Sequence, residues 1–169
     1  MKEPNNTSIF LVEDNELFAE ALAISLEDLG YSVQIFHSGE QMITSWEEDP
    51  DIILLDYFID SPHGQAMNGN KILHFIRRIS KNLPVVILTA NSDIGEATAM
   101  LRNGAVDYII KDDDLNSNLI KTLSQILEAR QLREEMAANK LKLKKYRQRF
   151  LVVCLLIALA VVTTLWLTK

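Results

Sequence analysis

The sequence has a single cysteine, Cys154, in 169 residues. That excludes an intrachain disulfide framework and a cysteine-based zinc site. Its three histidines, His37, His63 and His74, lack metal-ligand spacing. No P-loop, GxGxxG or GxSxG pattern occurs, so neither a phosphate-cradling loop nor a serine nucleophile elbow is indicated. The first eight residues are polar and lack the apolar stretch of a secretory signal. Positive charge is also scarce over most of the chain. Residues 1–138 hold 10 basic and all 23 acidic residues, a net of −13. Such a body has no basic face with which to neutralise phosphates, and no nucleic-acid partner is expected.

Short apolar runs do occur, and they alternate with amphipathic stretches. Residues 8–12 (SIFLV), 31–36, 51–56 (DIILLD), 84–90 (PVVILTA) and 106–111 (VDYIIK) read as strands. Helices are expected over 15–29, 38–48, 70–79, 93–102 and from 115 onward. The first would bury Leu17, Phe18, Ala21, Leu22 and Ser25 and stop at Gly30. Ser38 and Gln41 have the S-x-x-Q spacing of a capping box. Continuous Val/Ile/Leu strands separated by helices predict an α/β fold with a five-stranded parallel sheet covered on both faces. In such sheets ligands sit beyond the carboxyl ends of the strands, where the strand order reverses.

The residues at those ends are polar. Strand one ends in Glu13 and Asp14, strand three in Asp56, strand four in Thr89 and strand five in Lys111. Three acids in one place repel one another unless a cation joins them, and an all-oxygen site suits Mg²⁺. A carboxylate can also attack phosphorus to form an aspartyl-phosphate. The hydroxyl and the ammonium would then neutralise the oxygens of the phosphoryl group.

The order Glu13-Asp14, Asp56, Thr89-Ala90, Tyr108, Lys111 resembles the receiver domain of two-component response regulators, over about residues 7–127. The resemblance implies a (βα)5 flavodoxin-like fold, with Asp56 as phosphoacceptor. It places Mg²⁺ on Glu13, Asp14, Asp56 and the backbone carbonyl of Phe58. It assigns Thr89 and Tyr108 to the conformational switch and Lys111 to the phosphate. The side chains of Phe58 and Asn91 would tune hydrolysis. The implied partner is a histidine kinase or phosphotransfer protein. The domain would catalyse only its own phosphotransfer and dephosphorylation, so it is not expected to be an enzyme in the wider sense. Two features depart from the family. The glycine before the third helix, Gly69, follows Asp56 by thirteen positions, which reads as a loop insertion. Lys111 is followed by Asp112 instead of the common proline. A haloacid-dehalogenase-like phosphatase also uses an aspartyl-phosphate, but expects an acid where Phe58 stands. A phosphorylation-independent scaffold with the same fold is the other alternative.

From residue 115 to 149 there is no proline or glycine. A long helix is therefore expected, with a stalk over 128–149. Ala129, Leu132, Met136, Asn139, Leu143, Tyr146 and Phe150 are spaced 3, 4, 3, 4, 3, 4, a heptad seam that would allow a homodimer. Six basic residues lie between 139 and 149, and residues 150–168 follow without a charge. At 1.5 Å per residue this run is roughly 28 Å long, which predicts a C-terminal transmembrane helix with Trp166 at an interface. The basic flank would put the receiver on the cytoplasmic side of a bacterial inner membrane, as a single-pass, membrane-anchored regulator with no DNA-binding output domain.

Overall fold

The computed structural model describes residues 7–47, 49–59, 69–90 and 93–167, with backbone alone for residue 94 and residues 152–167. Two compact units emerge, Met1–Ile126 and Leu127–Lys169. In the first, strands β1 (Ser8–Val12), β2 (Ser32–Phe36), β3 (Ile52–Asp56), β4 (Val85–Thr89) and β5 (Asp107–Ile110) alternate with helices α1 (Glu16–Asp28), α2 (Gly39–Thr44), α3 (Gly69–Ile79) and α4 (Ile94–Arg102). Helix α5 runs from Leu115 to Leu167.

All strand pairs are parallel, in the order β2-β1-β3-β4-β5. The order follows from burial. The apolar runs of β3 and β4 are buried at every position, and β1 at all but its first residue, as central parallel strands must be. The edge strand β2 buries only Phe36, and Ser32 and Gln34 remain exposed. The order reverses between β1 and β3, so their carboxyl ends flank the crevice. Beneath it Phe10, Val12, Phe36, Ile53, Leu55, Ile72 and Ile87 form part of one buried cluster.

Two helices end in the same way. Gly30 and Gly104 adopt φ of 90° and 104°, which only glycine takes without strain. In each case the glycine and the following residue donate to the last turn: Gly30 to Glu27 and Tyr31 to Leu26, Gly104 to Leu101 and Ala105 to Met100. This Schellman arrangement satisfies the end carbonyls and turns the chain into the next strand.

Three expectations need correction. Helix α1 buries Ala19, Leu22, Ala23 and Leu26, whereas Leu17 is 81% exposed. The sheet takes the stripe two residues further on, because Asn15 caps the helix through Phe18 N and fixes its phase. Helix α2 stops at Thr44, not near residue 48, because Ser45 leaves helical geometry at φ −98° and ψ 12° while its N–H still donates to Gln41 O. The third correction concerns the apolar run at 150–168. Among the described residues no helix is long and apolar enough to cross a membrane. The run is not a helix of its own. With no proline or glycine to break it, it continues the charged helix that begins at Leu115. The expected transmembrane helix is overturned, and the membrane location and cytoplasmic placement derived from it fall with it. The side chains of Cys154 and Trp166 lie outside the described residues.

The start of α2 yields a prediction. Ser38 Oγ accepts from Gln41 N at 3.1 Å, while Gln41 Oε1 accepts from His37 N at 2.8 Å, one residue ahead of the usual reciprocal partner. Ser38→Ala should cost about 1 kcal/mol, read as a lowered urea midpoint at unchanged slope.

Candidate functional site

Each acid reaches the crevice because its strand ends there. Glu13 follows β1 and is 1% exposed, and Asp56 is the last residue of β3 and 4% exposed. Asp14 is half-buried beside them. One carboxylate oxygen from each of Glu13, Asp14 and Asp56 lies within 4.8 Å of the others. Backbone donors hold the buried pair. Asn15 N donates to Glu13 Oε1 at 3.3 Å, and Phe58 N donates to Asp56 Oδ1 at 3.2 Å. The main chain after β1 is fixed by Glu13 N donating to Phe36 O and by His37 Nδ1 at 3.0 Å from Glu13 O.

Lys111 joins the acids from the far side of the sheet. Its Nζ lies 2.6 Å from Glu13 Oε2 and 2.9 Å from Asp56 Oδ2. Glu13 and Lys111 are 98 positions apart in sequence. The ammonium also sits 4.7 Å from the centre of the Phe18 ring, a cation–π contact. Burial holds the Glu13 carboxyl above its ordinary value, and the Asp56 charge adds to this. The Lys111 hydrogen bond and charge pull it back. Lys111 N donates to Thr89 O at 2.7 Å, which fixes where its side chain starts. No cis peptide bond occurs among the described residues, so Lys111 and Asp112 join in trans.

Thr89 closes β4 and is fully buried. Tyr108 lies on β5, opposite Ile87, half-buried against the core. Phe58, two residues past β3, is 53% exposed. Of the inserted loop, residues 60–68 with His63 lie outside the described residues, as does Asn91. The structure thus brings together Glu13, Asp14, Asp56 and Lys111, and sets Thr89 at the neighbouring strand end.

Sequence reasoning missed three contributors. Phe18 packs under Lys111, although it was expected only in the core. Tyr57 follows Asp56, and its hydroxyl is pushed up, first by burial and then by the neighbouring Glu96 carboxylate of α4. Gly69 stands so near the end of β3 that a Cβ would meet Asp56 O at 2.8 Å and Tyr57 Cα at 2.9 Å. The glycine itself was the available signal for this close approach.

Chemically, three carboxylates offering only oxygen form a donor set that fits a hard divalent cation such as Mg²⁺. A carboxylate held beside an ammonium is equipped to receive a group that carries negative charge.

Comparison with known proteins agrees with this geometry. The protein YkoG of Bacillus subtilis (strain 168), named as a transcriptional regulatory protein, is 32% identical over 114 residues, 67% of this chain and 48% of that protein. The DNA-binding response regulator MtrA of Mycobacterium leprae (strain TN) is 35% identical over 104 residues, 61% of this chain and 44% of that protein. The chain thus spans about half the length of the curated relatives it matches. Among solved structures, a CheY-like receiver domain protein from Methanospirillum hungatei JF-1 superposes with a TM-score of 0.65 at 20% identity, over 74% of this chain and 97% of that one. That likeness shows the shared fold. The sequence model of the response regulator receiver domain matches residues 9–124, from β1 into α5, and takes in Glu13, Asp14, Asp56, Thr89, Tyr108 and Lys111. The chain belongs to the response regulator receiver domain family.

Proposed function

We propose that this chain is the phosphoacceptor of a two-component relay, with Asp56 taking a phosphoryl group from a histidine kinase or phosphotransfer protein. An Asp56 carboxylate oxygen attacks phosphorus, the bond from phosphorus to the donor's imidazole nitrogen breaks, and an acyl phosphate forms. The observation that carries this reading is the meeting of Glu13, Asp14 and Asp56 oxygens within 4.8 Å, with Lys111 bridging two of them. Mg²⁺, when bound by Glu13, Asp14, Asp56 and the Phe58 carbonyl, supplies charge neutralisation at the phosphoryl oxygens. Lys111 then exchanges a carboxylate partner for a phosphoryl oxygen, and Thr89 offers its hydroxyl to another. Tyr108 follows Thr89 and alters the face made by α4, β5 and α5. The domain catalyses no reaction beyond its own phosphotransfer and dephosphorylation.

Residues 7–127 act as the receiver and 128–149 as a helical stalk. The output is protein contact, including pairing of two copies along the stalk. The net charge of −13 over residues 1–138 supports a protein surface as the target. The DNA-binding name of MtrA describes a protein of which this chain covers 44%.

The test is incubation with acetyl phosphate and Mg²⁺, read as a gain of one phosphoryl mass. Unlabelled protein with acetyl phosphate and with a kinase would favour the phosphorylation-independent scaffold. Asp14→Ala should slow incorporation at least tenfold, with part of the loss recovered at high Mg²⁺, because one of three carboxylates is gone.

A further inference from the structure

Helix α5 carries its own pairing code. In the second compact unit Leu132, Met136, Leu143, Tyr146 and Phe150 lie along one seam and are all exposed, Leu143 by 72%. Residues flanking a heptad seam decide the direction in which two helices associate. With Ala129, Met136, Leu143 and Phe150 at one seam position and Leu132, Asn139 and Tyr146 at the other, the flanks are Glu128, Glu135, Lys142 and Arg149 on one side and Arg133, Lys140 and Arg147 on the other. We propose that two copies of this chain pair in parallel and in register along α5, selected by Glu128 with Arg133 and Glu135 with Lys140 across the pair.

The charges separate the two directions. In a parallel pair each flank meets the opposite flank five residues further on. Glu128 then faces Arg133 of the second copy and Glu135 faces Lys140, each contact occurring twice by symmetry. In an antiparallel pair like flanks meet: Glu128 and Glu135 can meet Lys142 or Arg149, but Arg133, Lys140 and Arg147 face one another and all repel, so the balance of charge favours the parallel pair. The attraction ends where Lys142 would face Arg147, so the code lies in residues 128–140. Asn139 fixes the register. Aligned, two Asn139 amides can satisfy each other inside the seam, whereas a shift of one heptad sets one against Leu132 and the other against Tyr146 and breaks the amide pair. The intrahelical contacts leave this arrangement available. Arg130 pairs with Glu134 at 3.2 Å on the outer surface, and Gln131 donates to Glu135 at 3.3 Å without neutralising it.

This inference rests on the homodimer reading above, and its test separates the two. In the full chain carrying Cys154→Ala, single cysteines are placed at Leu132, Met136 and Leu143 in the seam and at Glu134 outside it, then oxidised. Self-cross-linking at all three seam positions and none at Glu134 is the expected result. Cross-linking at a single seam position would overturn the parallel arrangement and keep the homodimer. None at any seam position would overturn both. A second arm reads the charges. Glu128→Lys with Glu135→Lys should raise the dimer dissociation constant at least tenfold, and adding Arg133→Glu with Lys140→Glu should restore it. An unchanged constant after the first pair would overturn the assigned contacts. Phosphoryl incorporation at Asp56, followed in the same proteins, reports on the receiver reading independently.

Discussion

Asp56→Asn should abolish phosphoryl incorporation while the fold persists. An amide has nearly the shape of a carboxylate, and its oxygen can still accept from Phe58 N, which Asp56 Oδ1 now does at 3.2 Å. It is no nucleophile toward phosphorus, and it offers Mg²⁺ no negative charge. The substitution also removes one of the charges that burial and mutual repulsion oppose, so stability should hold or rise. Intact-mass measurement after acetyl phosphate treatment, beside a urea titration, checks both parts. Full labelling of the variant would move the phosphoacceptor elsewhere.

The second large effect is expected at Lys111. Its ammonium is the counter-ion of two buried carboxylates, at 2.6 and 2.9 Å. In Lys111→Ala, Glu13 and Asp56 face each other with that charge gone, and breaking a buried pair from one side should cost about 3 kcal/mol near neutral pH without divalent cation. The pH dependence has a definite sign. Glu13 already lies above its ordinary value of 4.5, and losing Lys111 removes two of the three influences that lower it, leaving only the Asn15 backbone hydrogen bond. A carboxyl raised in the folded state destabilises the fold fully above its folded value and not at all below its unfolded one. The deficit should therefore shrink as pH falls from about 7 toward about 5. Urea titrations in chelator at both pH values measure it. A deficit that grew on acidification would mean that Glu13 is not the group responsible. If the carboxylate cluster holds Mg²⁺ as proposed, the cation should restore part of the lost stability, because it would bind the folded state alone.

Much of this site is legible in the sequence because parallel strands write their ends plainly. SIFLV, IILLD and VVILT are unbroken apolar runs, and the polar residue that ends each run marks the sheet's carboxyl edge. Glu13, Asp56 and Thr89 could be read from that alone. Helix α1 shows the limit. Its sequence carries two overlapping apolar stripes, and periodicity alone does not choose between Leu17 and Ala23. The cap at Asn15 and the sheet beneath choose, and Leu17 goes to solvent. Contacts that join distant segments were invisible for another reason. The Phe18 ring under Lys111, and Glu96 of α4 beside Tyr57, depend on tertiary placement that no spacing encodes. The end of the chain misled because an apolar run invites reading as a unit, whereas the backbone continues a helix begun 35 residues earlier.

The separation of Glu13 from Lys111 by 98 positions has a kinetic meaning. A contact between such distant residues closes a long loop, and the entropy of closing it must be met before the contact returns anything. During synthesis Glu13, Asp14 and Asp56 emerge with β1 and β3, long before β5 exists. Until β5 docks on β4, those acids have no ammonium between them. On the proposed reading, competence to receive phosphate would be acquired with the last strand and not with the strand that bears Asp56, so a partly made chain would expose its acids to a kinase without offering it a working acceptor.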